Sequence, residues 1–248
     1  MMCGKLFFYA IFFCLIPFTL YPTPDKQEKK IWMIGDSTMS IKDEDKYPET
    51  GWGMPFTTFF KGNIAVENKA KNGRSTCSFI SEGLWEEVYY NLVKGDYLFI
   101  QFGHNDEKVD KPGVGTSLCV FKKNLSRFVS EARTKGTEPV LLTPIARRHF
   151  EKGVVADTHM GYPDAVREVA DSLSVPLIDL TVKTGKLLTA LGEKKSISLF
   201  LHLSSGHVNY PEGVIDNTHL NREGALAVAK LAVEGMKELD LELVHDLK

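Results

Sequence analysis

At 248 residues the chain has room for one α/β domain with a full hydrophobic core. A net charge of −2, with 25% charged residues, excludes the broad basic face of a nucleic-acid binder. Reading from the N-terminus, one lysine (Lys5) precedes the apolar stretch Leu6–Leu20, which gives way to Tyr21-Pro22-Thr23-Pro24 and the polar run Asp25–Lys30. This pattern predicts a secretory signal peptide over residues 1–22, followed by a single domain over 23–248. The expectation is a secreted or periplasmic protein that leaves the membrane once the leader is removed; an uncleaved anchor is the alternative. Cys14 follows Phe12-Phe13, a poor lipoprotein box.

Five short apolar runs follow: Ile31–Ile34, Ile64–Glu67, Tyr97–Phe102, Val140–Thr143 and Pro176–Asp179. Continuous runs of this kind are strands covered on both faces of a parallel sheet. Between them lie segments of helical spacing, Phe121–Arg133 and Ala165–Leu173. A last helix is announced by Asn221 as N-cap and carries Ala225, Val228, Ala229, Ala232 and Met236 on one side. The alternation predicts a doubly wound α/β sheet with helices on both faces. Ile41–Gly53, Glu107–Thr116 and His202–Asp216 read as loops. Of the four cysteines, Cys77 and Cys119 fall in the mature chain. They read as free, partly buried thiols, with a single disulfide between them as the alternative, and lie outside any metal-ligand or redox spacing.

Four polar blocks are set at strand ends or before a helix. They are Gly35-Asp36-Ser37-Thr38, Asn68–Ser75 with its Asn72-Gly73-Arg74-Ser75, Gly103-His104-Asn105-Asp106, and Asp216-Asn217-Thr218-His219. In this order they resemble the SGNH (GDSL-like) hydrolases, with Ser37, Gly73, Asn105 and His219 at the four family positions. The finer wording, including Gln101-Phe102 before Gly103 and Thr143-Pro144 before Arg147-Arg148, is similar to the rhamnogalacturonan acetylesterase branch. The resemblance implies a three-layer, flavodoxin-like five-stranded parallel sheet. It also implies removal of acetyl groups from acetylated rhamnogalacturonan without a cofactor. One departure is visible: the branch usually has paired glycines where this chain has Asn72-Gly73, and Asn is expected to tolerate a left-handed backbone there.

Ester hydrolysis through serine needs a base, a group that orients the base, and donors for the oxyanion. Ser37, His219 and Asp216 are expected to form the triad, with Asp216 reaching the ring from the same turn. The backbone N–H groups of Ser37 and Gly73 and the side-chain amide of Asn105 are expected to form the oxyanion hole. Asp36 is read as a brace of the turn. His104, Asp106, His202, His207, Asp216 and His219 form a His/Asp-rich set, but its spacing is too generic for a metal site, and none is expected. Arg74 and Arg147, with Arg148 less so, could clamp uronate carboxylates, and Trp52, Trp85 and Tyr210 could face sugar rings. A lipase or thioesterase of the same superfamily, and a non-catalytic glycan-binding protein, are the competing readings.

Overall fold

The computed structural model describes Met1 and residues 29–248; the leader reading of residues 1–22 falls almost wholly outside the described residues. The strands, in chain order, are β1 (Lys29–Gly35), β2 (Ile64–Asn68), β3 (Tyr97–Gln101), β4 (Glu138–Leu142), β5 (Phe150–Glu151), β6 (Val154–Val155), β7 (Leu177–Ile178), β8 (Phe200–Leu203) and β9 (Val214–Leu220). The helices are α1 (Gly53–Phe56), α2 (Thr76–Ser81), α3 (Leu84–Asn91), α4 (Leu118–Thr134), α5 (Tyr162–Ser172), α6 (Leu180–Ser196) and α7 (Arg222–Glu238). β1, β2, β3, β4 and β7 form one parallel sheet in the order β2-β1-β3-β4-β7. All five predicted apolar runs are strands of this sheet.

Alternate residues of the buried strands feed two separate cores. Ile31, Met33, Phe99, Val140 and Leu142 pack on one face with Phe56 of α1, Leu188 of α6 and Ala225, Ala229, Ala232 and Met236 of α7. Trp32, Ile34, Leu98, Ile100 and Leu141 pack on the other with Phe79, Trp85, Phe121, Phe128 and Val166 from α2 to α5. Two buried faces explain why the strands read as unbroken apolar runs rather than as alternation. Truncating a fully buried ring such as Phe99 or Phe128 to Ala costs about 3–5 kcal/mol.

The chain winds from β1 outward to β2, then returns across β1 to β3. The reversal leaves a crevice at the carboxyl ends of β1 and β3, where open α/β sheets bind ligands. Gly35 lets these two strands close up: a Cβ there would lie 2.5 Å from the Gln101 carbonyl oxygen.

Three features differ from the sequence expectation. Residues 204–213 are the expected loop, but the ends of the predicted stretch, His202–Leu203 and Val214–Asp216, belong to the two strands of an antiparallel hairpin, β8–β9, outside the main sheet. α6 was not predicted; two glycines dilute its pattern, and Gly192 (φ 70°) breaks its geometry within the last turns. Cys77 and Cys119 are both free thiols, Cys77 half-buried as expected but Cys119 exposed. Among the described residues no helix is long and apolar enough to cross a membrane.

Candidate active site

The turn after β1 carries Ser37. Asp36 is fully buried beneath it, and its Oδ1 accepts from the Thr38 N–H (2.9 Å) and hydroxyl (2.8 Å). The Thr38 hydroxyl in turn accepts from Gln101 Nε2 at 3.0 Å, and Gln101 Oε1 accepts from Trp52 Nε1 at 2.6 Å. A string of buried hydrogen bonds thus fixes the turn to the end of β3. Burial alone would raise the Asp36 carboxyl, but the neighbouring His104 ring and the Thr38 donors outweigh it and hold the pKa at about 2. Burial pushes His104 down to about 4, so its ring is neutral at pH 7.

Ser37 Oγ lies 3.0 Å from His219 Nε2, and His219 Nδ1 lies 2.7 Å from Asp216 Oδ2. The Asp216 carboxylate also accepts the backbone N–H groups of Thr218 (2.7 Å) and His219 (2.9 Å) through Oδ1. Burial would raise the Asp216 carboxyl; the His219 ring and these N–H groups reverse the sign and hold it at about 2. An ionised carboxylate can only accept, so Nδ1 carries the proton and Nε2 is free to take one from Ser37. The pair sits on β9, not in a pre-helix turn as the sequence suggested.

Gly73 adopts φ +74°, and an added Cβ would meet no protein atom within 4 Å. Its glycine requirement is therefore the left-handed backbone rather than crowding by the protein. Asn72 is absent from the residues with positive φ, so the left-handed position falls on Gly73 alone and the expected role of Asn72's backbone is corrected. After β3, the side-chain amide of Asn105 donates to the Arg74 carbonyl at 3.0 Å, and its Oδ1 accepts from Lys108 Nζ at 2.8 Å. One amide hydrogen is left for a ligand. Asp106 ties the same loop to α2: its Oδ1 accepts from the Thr76 N–H (3.0 Å) and hydroxyl (2.6 Å) and from the Thr116 hydroxyl (3.1 Å). Burial raises the Asp106 carboxyl to about 7 despite these donors.

The arginines are already engaged. Arg74, 40% exposed, sets Nε and Nη2 on Glu82 at 2.9 and 2.8 Å. Arg147 is largely buried against Glu107, with further contacts to Thr158. Glu107 also holds His159, whose Nε2 faces the Ile145 carbonyl at 2.9 Å. Arg148 donates to Asn217 Oδ1 at 3.0 Å, and its own N–H meets the Asn217 carbonyl at 2.8 Å, bracing the strand that carries Asp216 and His219. Trp52 and Trp85 are fully buried in the cores, so neither faces a sugar ring as expected. Tyr210 is half-buried, its hydroxyl on the Lys46 carbonyl. Among the described residues no three His, Cys, Asp or Glu side chains are grouped to hold a metal ion. The supports at Lys108, Thr76 and Glu107 were not picked out from the sequence, because each acts through a contact between segments far apart in the chain.

The family model described as the GDSL-like lipase/acylhydrolase family matches residues 33–227. Rhamnogalacturonan acetylesterase RhgT of Bacillus subtilis is 42% identical over 224 residues, covering 90% of this chain and 95% of that protein. The rhamnogalacturonan acetylesterase of Emericella nidulans is 26% identical over 228 residues, covering 83% and 84%. Among solved structures, YxiM of Bacillus subtilis superposes with a TM-score of 0.75 at 25% identity, over 87% of this chain and 58% of that one. Axe2, an acetylxylan esterase from Geobacillus stearothermophilus, shares the fold with a TM-score of 0.62 at 18% identity, over 84% and 94%. The match runs from β1 into α7 and takes in all four polar blocks: this chain belongs to the GDSL-like lipase/acylhydrolase family.

Proposed function

We propose that the protein is a serine carboxylic ester hydrolase that removes O-acetyl groups from a plant cell-wall polysaccharide, acetylated rhamnogalacturonan above others. The observation that carries this reading is the continuous hydrogen-bonded line Ser37–His219–Asp216, at 3.0 and 2.7 Å. The substrate class is supported by the relatives at 42% and 35% identity, both named as rhamnogalacturonan acetylesterases, the second as a probable one.

His219 Nε2 takes the Ser37 proton as Oγ attacks the acetyl carbonyl carbon. Negative charge moves onto the carbonyl oxygen, where the N–H groups of Ser37 and Gly73 and the Asn105 amide are the available donors. As the bond between the acetyl carbon and the sugar oxygen breaks, the protonated ring gives its proton to that oxygen, which leaves as a hydroxyl, and the acetyl group stays on Ser37. A water molecule, activated by the same nitrogen, then releases acetate. Asp216 holds the ring in the required tautomer and stabilises its charged form.

The large apolar cleft between Val154–His159 and α6, about 540 Å³, is lined by none of Ser37, Asp216 or His219, so it gives no support to a long-chain acyl pocket. A polymer substrate and the apolar Leu6–Leu20 segment together support an exported enzyme. The test is acetate release from acetylated pectin, acetylated xylan and an aryl acetate by the wild type and Ser37→Ala. Turnover of the pectic substrate lost in the variant supports the reading; turnover retained above about a thousandth of wild type removes Ser37 as nucleophile.

A further inference from the structure

Lys42 is a buried lysine that the reaction above does not use. Its side chain is 1% exposed. Burial pushes the ammonium's pKa down, while Glu49, Asp36 and Asp216 pull it up. An ammonium has three N–H donors and no acceptor. All three find oxygens: the Ser37 carbonyl at 2.6 Å, Asn72 Oδ1 at 2.6 Å and Glu49 Oε1 at 2.7 Å. A charge out of water is tolerated only when it is paired and hydrogen-bonded in this way.

Two of these acceptors lie on the loops that carry oxyanion donors. Ser37 offers its own N–H, and Asn72 immediately precedes Gly73, the second backbone donor. Ser40 makes the same bridge, its hydroxyl donating to Asn72 Oδ1 at 2.6 Å while its N–H closes the nucleophile turn on the Asp36 carbonyl at 3.1 Å. Asn72 is itself an exposed residue, so its oxygen reaches inward from the rim to the buried ammonium.

We propose that Lys42 and Asn72 are positioning residues: a charge-assisted clamp that sets the spacing between the Ser37 and Gly73 donors of the oxyanion hole. The proposal rests on the serine-esterase reading above. Oxyanion donors lower the barrier because they already stand where charge will develop. A displacement of about 1 Å in such a site costs about a hundredfold in rate. Opening the clamp therefore lowers kcat and leaves KM, because the neutral ester of the ground state draws little on these donors.

The test uses Asn72→Gly, which removes the oxygen at an exposed position and leaves Ser37, Gly73 and the Lys42–Glu49 pair in place. With p-nitrophenyl acetate, Asn72→Gly should lower kcat roughly tenfold or more while KM stays within about twofold. Inhibition by a small alkylboronic acid, which forms a tetrahedral anion on the serine, should weaken by a similar factor. Asn72→Asp, which keeps an oxygen for Lys42, should retain most of the activity. Lys42→Met is combined with Glu49→Gln so that no charge is left unpaired, and its loss should be less than additive with that of Asn72→Gly. An unchanged kcat in Asn72→Gly overturns the clamp, as does a rise in KM alone or a fall in melting temperature with boronate inhibition intact. Ser37→Ala, assayed alongside, separates the two readings. If it still turns over, the serine-esterase reading fails; if it is inactive while Asn72→Gly is unimpaired, only the clamp fails.

Discussion

Asp216 and His219 lie three residues apart on β9, yet their side chains meet at 2.7 Å. In a regular strand, positions i and i+3 point to opposite faces. Here the pairing with β8 slips: Leu201 is opposite Asp216, while its neighbour Phe200 is opposite Leu220. Residues 217–219 are the extra length, and the bulge turns His219 back over Asp216 toward Ser37. Bulges re-aim side chains beside active sites in this manner.

The geometry gives the two residues unequal weight. His219→Ala should abolish turnover as fully as Ser37→Ala, since proton transfer has no other route. Asp216→Asn should retain more activity, because the carboxylate orients the ring without taking its proton. Steady-state kcat on an aryl acetate, with the fold checked by circular dichroism, measures both. Equal residual rates in the two variants would place proton transfer elsewhere.

Asn105→Asp replaces an N–H donor with an acceptor where negative charge develops. We expect kcat to fall on the order of a hundredfold to a thousandfold, as for the loss of one oxyanion donor, with KM little changed. Lys108→Met should cost less, because it removes only the contact that holds the amide oxygen. Kinetics on the same aryl acetate rank the two, and a larger effect from Lys108 would reverse their roles.

Asp106 makes a distinct prediction about stability. Its folded pKa, raised to about 7 by burial, exceeds the ordinary unfolded value of about 4. Its contribution is therefore fully present below the unfolded value and is lost as pH rises through the folded one. Its Oδ2 has no hydrogen-bond partner, so Asp106→Asn forfeits none there and Oδ1 can go on accepting from Thr76 and Thr116. Urea unfolding at pH 5 and pH 8.5 should show wild-type stability falling relative to the variant as pH rises. The opposite trend would contradict a raised Asp106.

Arg147 and Arg74 should separate on substitution. Arg147 supports Glu107 and the loop beside it, so Arg147→Lys should reduce turnover of acetylated pectic oligomers and of a neutral aryl acetate alike. Arg74 is half-exposed on Glu82. Arg74→Lys should leave the aryl acetate rate nearly unchanged, and a loss confined to the pectic substrate would mark it as a carboxylate contact. A pectic-only loss at Arg147 would instead restore it as a uronate clamp.

The sheet was legible because burial on both faces makes each strand a continuous apolar run, and the Asn221 cap marked the start of α7 as predicted. The four polar blocks were legible because each is a local string of residues at a strand end. The β8–β9 hairpin was not, since the loop between its strands, with Ser204-Ser205-Gly206 and Pro211-Glu212-Gly213, is longer than β8 or β9 and masks both. The fate of Trp52, Trp85, Arg147 and Lys42 was also beyond local reading. A tryptophan on a core face and one on a sugar platform have the same neighbours in sequence. An arginine that meets Glu107 in space is indistinguishable, along the chain, from one that meets a ligand.

The nucleophile and its base are 182 residues apart in sequence, and the base rides on a hairpin that is not hydrogen-bonded into the main sheet. All three tryptophans, Trp32, Trp52 and Trp85, precede β3 and are buried in the two cores. Trp32 and Trp85 lie in the core on the opposite face of the sheet from the hairpin's Phe200 and Leu220, whereas Trp52 shares a core with those two residues. A chain in which only the hairpin had come away would keep the emission of Trp32 and Trp85, change that of Trp52 and lose its esterase activity, so comparing turnover with fluorescence during denaturant titration measures how tightly the hairpin is coupled to the rest of the fold.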